Sequence, residues 1–393
     1  MREPGPCPHF DHHDRLGDAD RYRTYAELRE CPVARSDASG GFWVLSRFDD
    51  VAAAAEDWRT YSSAEGVLLP APAGRRGRQV ALEQDPPEHT PYRRLYAELL
   101  SRDRVRSIEG EIRRVAAERL AELAGSEAGD YVEHVAAPVP IETLGMLLGF
   151  DADVTAQLRD LAVAELARVD RSGPGPAARP EVTLMDLLRA QMADRRDRPR
   201  DDFVTALVNE DLPPLGVLSF LVGAVLAGHE TTLIAATNLA YQLGLEPELQ
   251  ERLRAEPALI PRAVNESLRH RSPVQNFVRT LTTGIERDGV AMAAGDKVML
   301  LFGAANRDPE RYPDPDRYDL DRFATDRDAA RHLAYGAGVH RCVGAFLAEV
   351  ELRVITEELA AYDLVLQGEP TFSPTTFGAF LTIDELPVSL SGR

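Results

Sequence analysis

Tyr335-Gly336-Ala337-Gly338-Val339-His340-Arg341-Cys342-Val343-Gly344 is the stretch from which the rest of the chain can be read. Two early glycines allow the backbone to turn tightly, and Cys342 then falls where a final helix is expected to begin. Amides at a helix N-terminus stabilise a thiolate, so a cysteine at that position is suited to metal ligation. Taken alone, Cys342 reads equally as a small buried apolar residue, the commoner fate of a lone cysteine.

Working outward, the chain has 393 residues and is 44% hydrophobic, enough for a large core. Length alone suggests two or three domains of roughly 150 residues. No repeat, Ser/Gly linker or low-complexity tract divides it, and the Pro/Gly/Ala-rich stretch Ser172 to Pro180 reads as a loop between helices. Three cysteines, Cys7, Cys31 and Cys342, show no metal-ligand spacing, so a disulfide framework is not expected and at least one thiol is free. A formal charge of -19 argues against nucleic acid as a partner, because phosphate binding needs excess Arg and Lys. The polar start, Met1 to Asp14, resembles neither a signal peptide nor a membrane anchor, so a cytoplasmic protein is expected.

Gly41 to Arg47 reads as a strand, followed by a helix capped by Asp49. Apolar residues at three- and four-residue spacing predict helices over Arg102 to Leu123 and Asp151 to Arg168. Leu215 to Leu243 is apolar nearly all round, which predicts a buried central helix interrupted in pattern by Gly228-His229-Glu230-Thr231-Thr232. Past Pro273, Asp288-Gly289 and Ala294-Gly295 punctuate short β-like segments in the manner of hairpins. Asn306 to Asp328, dense in Pro, Asp and Arg, should be a long ordered coil.

Three further constellations carry chemistry. In Ala227-Gly228-His229-Glu230-Thr231-Thr232, the Thr231 hydroxyl can bond back to the Ala227 carbonyl, with Gly228 leaving a groove beside it. Glu230 beside Thr231 is an acid next to an alcohol, a pair able to deliver protons; the same hexapeptide also reads as a plain helix kink. Glu266 and Arg269 stand three apart on one helix face and can pair. Asp85-Pro86-Pro87-Glu88-His89-Thr90-Pro91-Tyr92-Arg93 puts His89 and Arg93 on one helix face, where an arginine fork suits a carboxylate. His12-His13 is read as an exposed polar terminus and not a metal site, and Arg75-Arg76-Gly77-Arg78 as a solvated basic loop.

The segment Tyr335 to Gly344 resembles the haem-binding loop of the cytochrome P-450 superfamily, with Tyr335 where that family usually has Phe. Four motifs occur in the family's order between Trp43 and Pro387. The resemblance implies one domain over residues 1–393, mainly α with a small β-rich lobe, a triangular helical prism around a buried b-type haem. It implies Cys342 as the iron ligand, where sulfur favours O–O cleavage. Gly336 and Gly344 would shape the haem loop, and Ala227 and Gly228 would face the haem. His89, Arg93, Arg279 and His340 would meet the propionates, and Glu230 and Thr231 would supply protons to reduced dioxygen.

By the same likeness Glu266, Arg269 and Arg317 form a buried network. The pocket would draw on Val67, Leu68, Ala224, Val274, Phe277 and Phe380, with Phe377 and the loop before Pro180 nearby and Gln275 and Asn276 orienting one polar group. The activity implied is monooxygenation of a small or medium-sized hydrophobic molecule with O2. Electrons would come ultimately from NAD(P)H through a separate ferredoxin-type partner meeting Arg93, Arg94, Arg331 and Arg341, and the chain is expected to act as a monomer. A peroxide-driven peroxygenase remains an alternative, although such relatives generally carry Arg-Pro in place of the acid-Thr pair. A non-catalytic haem sensor is the third reading, and it would need no proton pair.

Overall fold

The computed structural model describes residues 7–14, 18–31, 33–71, 77–169, 181–324, 332–372 and 378–393. Helix dominates, and the central one, Pro214–Leu245, runs 32 residues with nearly its whole second half buried. It is long and apolar enough to cross a membrane, but its apolar faces are taken up by neighbouring helices, as expected for a core helix. Helices Pro138–Leu148 and Leu184–Asp197 and the final long helix Ala345–Leu359 pack on it. Helix His89–Leu99 is fastened to it where Tyr96 stacks on Phe220 at 3.9 Å and donates its hydroxyl to the Phe220 carbonyl at 2.9 Å.

The β-rich part is a five-stranded sheet in the order Ala34–Ser36, Phe42–Leu45, Lys297–Leu300, Phe277–Leu281 and Tyr61–Ser62. Trp43 lies beside Val298 in a parallel pairing, and Arg279 lies opposite Val298 in the antiparallel pairing on the other side. A smaller sheet joins Gly129–Asp130, Pro387–Gly392 and Tyr362–Leu366. The sheet matters to the site because it presents Arg279 and Phe277 beside the loop that follows Tyr61–Ser62.

Several sequence expectations change. Helix Phe48–Glu56 is not capped by Asp49, which lies inside its first turn; Asp308 Oδ2 accepts from the Phe48 amide at 2.8 Å and does the capping from the proline-rich coil. The helix expected from Arg102 to Leu123 breaks at Ile108 (φ -105°, ψ 2°) into Arg102–Ser107 and Glu109–Ala124. Asp288-Gly289 does make a hairpin, both residues with positive φ, whereas the turn at Gly295 redirects the chain into the larger sheet.

Cys7 and Cys31 form a disulfide, against expectation, leaving Cys342 as the free thiol. The His pair is no exposed terminus either: His12 is 4% exposed, and Nε2 of both rings meets the Leu69 carbonyl, at 2.7 and 3.0 Å. The stretch Ser172 to Pro180, Arg75, Arg76, Arg331 and Phe377 lie outside the described residues.

Candidate active site

The cysteine loop is held at both ends. Asn306 Oδ1 accepts from the Leu333 amide at 2.7 Å, and the Cys342 amide donates to the Tyr335 carbonyl at 2.8 Å. Between them Gly338 has φ +67°, and a Cβ there would stand 2.7 Å from the Ala55 carbonyl oxygen and 2.8 Å from Glu56 Cα, so only glycine fits. Gly336 also has a positive φ, +64°, but with open space around it.

The last helix starts at Ala345, three residues later than the sequence suggested, so Cys342 sits just ahead of its N-terminus. The Cys342 side chain is accessible yet closely surrounded by protein. Burial pushes its thiol up, while the amides of Gly344 and Ala345 and the charges of Arg93 and Arg341 pull the other way. A Cβ on Gly344 would have only Leu100 and the Cys342 sulfur as neighbours, at 3.7 and 3.8 Å, so the space next to the sulfur is left clear.

On the central helix the Thr231 hydroxyl donates to the Ala227 carbonyl at 2.8 Å, as the spacing suggested. Ala227 is exposed in the middle of this otherwise packed helix, while Ala224, one turn earlier, is buried. Burial, with the nearby carboxylate of Asp384, raises Glu230 to about 7, so it exchanges a proton near neutrality. Gly228 serves differently from the sequence reading: its missing side chain faces Leu144 at 3.1 Å, allowing close helix packing and not a groove. His229 is buried, bonded through Nε2 to the Ala137 carbonyl at 3.2 Å and held neutral by burial, its value lowered to about 4.

A basic cluster gathers from three elements. His89 opens its helix and meets His340 edge-to-face at 4.9 Å. Arg93, one turn on, donates to the Arg341 carbonyl at 2.6 Å. Arg279 is 4% exposed, and among the described residues its guanidinium makes one hydrogen bond, to the Val278 carbonyl at 2.9 Å.

His340 Nε2 is buried without a hydrogen-bond partner. Burial lowers Arg279 to about 10 and His340 to about 3, and lowers His89 and Arg93 as well. Donors this poorly satisfied fit a ligand that brings its own carboxylates, and with the accessible sulfur and the clear space at Gly344 the set fits a haem.

The structural network differs in one member. Glu266 and Arg269 are fully buried and doubly bonded, at 2.7 and 2.8 Å. The second arginine on Glu266 is Arg322, whose Nε reaches Oε1 at 3.1 Å; Arg317 is exposed and contributes only its backbone carbonyl, to Arg269 and Arg322. Register along an irregular coil cannot be counted from spacing, so the sequence reading named Arg317 and missed Arg322, five residues on. Asp85 and Asn306 were also missed as individual residues, although both lie inside motifs that were noted.

Of the residues expected to line a pocket, Val67 is buried and its carbonyl accepts from the Val278 amide at 2.9 Å, leaving Leu68 partly exposed beside it. Val274 bridges to Phe380, and Phe277 packs edge-to-face on Phe302 at 6.3 Å. Gln275 and Asn276 do not reach for a ligand: the Gln275 amide is held by Tyr25 and the Ser272 carbonyl, and Asn276 donates to the Gly378 carbonyl at 2.7 Å.

Comparison with known proteins bears on this geometry. The family profile described as Cytochrome P450 matches residues 181–385. Cytochrome P450 107B1 of Saccharopolyspora erythraea is 33% identical, covering 94% of this chain and 95% of its own length. Linalool 8-monooxygenase of Pseudomonas putida is 34% identical over 86% of this chain and 87% of its own. Among solved structures, cytochrome P450 CYP109Q5 from Chondromyces apiculatus superposes with a TM-score of 0.82 at 28% identity, covering 95% of this chain and 96% of that one.

Proposed function

This chain belongs to the cytochrome P450 family and is a monooxygenase, and from that premise we propose that it inserts one atom of O2 into a small or medium-sized hydrophobic molecule. Hydroxylation, epoxidation and dealkylation are all within that chemistry. The second oxygen atom leaves as water, which consumes two electrons and two protons. The electrons come from NAD(P)H by way of a separate ferredoxin-type protein, and the chain acts as one cytoplasmic, monomeric catalytic domain. The acidic total charge, -19, accords with the absence of any nucleic-acid role.

When bound, a b-type haem supplies reductive activation of O2. Cys342 would hold its iron; His89, Arg93, Arg279 and His340 would hold its carboxylates; Gly336 and Gly344 would leave it room, and Ala227 of the central helix would face it. Glu230 carries a proton available near neutrality, and the Thr231 hydroxyl, fixed on the Ala227 carbonyl, positions a proton at the exposed part of the helix. Val67, Leu68, Ala224, Val274, Phe277 and Phe380 supply apolar surface that excludes water and selects a hydrophobic substrate. The reading of linalool in the name of one relative supports that class.

The observation that carries this reading is a free, accessible cysteine closely surrounded by protein, with two helix-start amides at its sulfur. The experiment is a carbon monoxide difference spectrum of the reduced protein. Thiolate ligation displaces the band to longer wavelength than imidazole ligation does, and Cys342→Ala should abolish it. A colourless protein after supply of haem, or an unchanged band in the variant, overturns the assignment. Thr231→Ala should keep consuming electrons while losing product; if product yield is unchanged, the proton role given to Thr231 fails, and a parent that binds haem but turns over no hydrophobic candidate favours a sensor.

A further inference from the structure

One acidic side chain, Asp85, stands among the donors of the basic cluster. Asp85 lies where the edge strand Tyr61–Ser62, the start of helix His89–Leu99, the strand bearing Arg279 and the turn bearing His340 come together. Its Oδ2 accepts from the Ser62 hydroxyl at 2.5 Å and its Oδ1 from the Ser63 amide at 3.1 Å. The same Oδ1 stands 3.7 Å from His340 Nε2, and its charge acts on Arg279 and His89. Its backbone carbonyl accepts from the His89 amide at 3.0 Å, so it also sets the start of that helix.

From Ser63 the chain runs directly into the pocket wall. Gly66 donates to the Ser63 carbonyl at 3.0 Å, Lys297 reaches the Glu65 carbonyl at 3.2 Å, and Val67 accepts from Val278. The loop holding Val67 and Leu68 is therefore anchored at its near end on Asp85.

We propose that Asp85 is a positioning residue that ties the pocket wall to the haem-carboxylate cluster and, through its charge, lowers the net positive field that cluster exerts on the haem. Two features separate it from an ordinary turn-capping aspartate. Capping uses one acceptor for a local amide, whereas Asp85 bridges to groups more than 20 residues away on both sides. It also places a negative charge among donors that would otherwise be balanced by the ligand's carboxylates alone. A charge among the carboxylate-binding groups changes the ease of reducing the iron, because each unit charge in a protein interior acts over many ångströms.

The inference rests on the haem-binding reading, and the test keeps the two apart. Parent, Asp85→Asn and Asp85→Ala proteins are first checked for haem content and for the thiolate carbonyl band, and then their midpoint potentials are measured. Asn keeps an acceptor for Ser62 or Ser63 but removes the charge, so D85N should favour the ferrous form on the order of tenfold, with an unchanged melting temperature. D85A should show the same shift and, having released Ser62 and Ser63, should also change imidazole affinity several-fold, imidazole serving as the probe of pocket access. If both variants bind haem normally and keep the parent's potential, the inference fails while the haem reading stands. A lowered melting temperature without a shift in potential reduces Asp85 to a structural cap and equally overturns it. A parent that takes up no haem defeats the underlying reading.

Discussion

Arg322 Nε lies 3.1 Å from Glu266 Oε1, so the buried carboxylate of the helix Ile260–His270 is shared between Arg269 on its own helix and an arginine of the proline-rich coil. Arg322 further donates to the carbonyls of Pro313, Asp314 and Arg317, which fixes the coil's path. Arg322→Ala should therefore lower stability by about 3 kcal/mol, the lower end for breaking a buried ion pair because Arg269 remains. Arg317→Ala should stay within about 0.5 kcal/mol of the parent, as an exposed side chain should. Urea unfolding of the two variants tests the assignment, and equal losses would reinstate Arg317.

Glu351, on the last long helix, is 1% exposed, and neither of its oxygens has a hydrogen-bond partner. The Thr143 hydroxyl beside it is committed to the Val139 carbonyl at 2.8 Å. Burial raises Glu351 to about 8, from an ordinary value of 4.5, with Thr143 opposing weakly. The folded chain therefore holds a proton that the unfolded chain releases between those values, and by linkage stability falls as pH climbs from 4.5 to about 8 and then levels. Glu230 adds to the same trend up to about 7. Glu351→Leu should flatten the slope and, at pH above about 8, exceed the parent's stability by roughly 1 to 3 kcal/mol. Urea midpoints across the pH range decide it: a parent whose stability rises through the window contradicts the neutral-acid picture.

Gly338 and Gly336 share a left-handed backbone but differ in surroundings. Gly336→Ala should cost roughly 1 to 2 kcal/mol, the strain of an L-residue in that region. Gly338→Ala adds a collision with the backbone of Ala55 and Glu56, which cannot rotate away, so the cysteine loop itself must move. Haem content per mole of purified chain should be near normal for the first variant and markedly reduced for the second. Matching haem content in the two would mean that the loop does not need its contact with helix Phe48–Glu56.

What the sequence revealed and what it hid follow a physical division. The buried central helix, the hairpin at Asp288-Gly289 and the Thr231 to Ala227 bond were legible because each depends on residues within one turn or one strand pair. The cap of helix Phe48–Glu56 was misread because its acceptor, Asp308, is 260 residues away, and a local Asp49 was the only candidate in view. Arg322 was missed for the same reason, since an irregular coil has no period by which to count. Tyr335 was noted as a departure, but only the fold shows that its hydroxyl is buried without a partner. Gly228 was assigned to a groove because spacing says which residues share a face but not which helix faces them; Leu144 of the helix Pro138–Leu148 does.

The Cys7–Cys31 disulfide yields the last prediction. Counting cysteines argued against it, yet it closes a loop across the first helix, Asp18–Arg29, with a sequence separation of 24. A cross-link of that span restricts the unfolded chain and should contribute about 3 kcal/mol. The segment it fastens carries His12 and His13, whose imidazoles meet the Leu69 carbonyl next to Val67 and Leu68, with His12 packed on Phe42 at 5.2 Å. Cys7→Ser should therefore destabilise the protein and also loosen the wall of the pocket, read as faster imidazole binding to the haem-loaded chain. The bond itself is checked by thiol titration in denaturant: without reductant a single reactive thiol, Cys342, should appear, and after reduction all three should. Three thiols before reduction would show that the pair is not joined in the purified protein, and the stability difference between parent and C7S should then vanish.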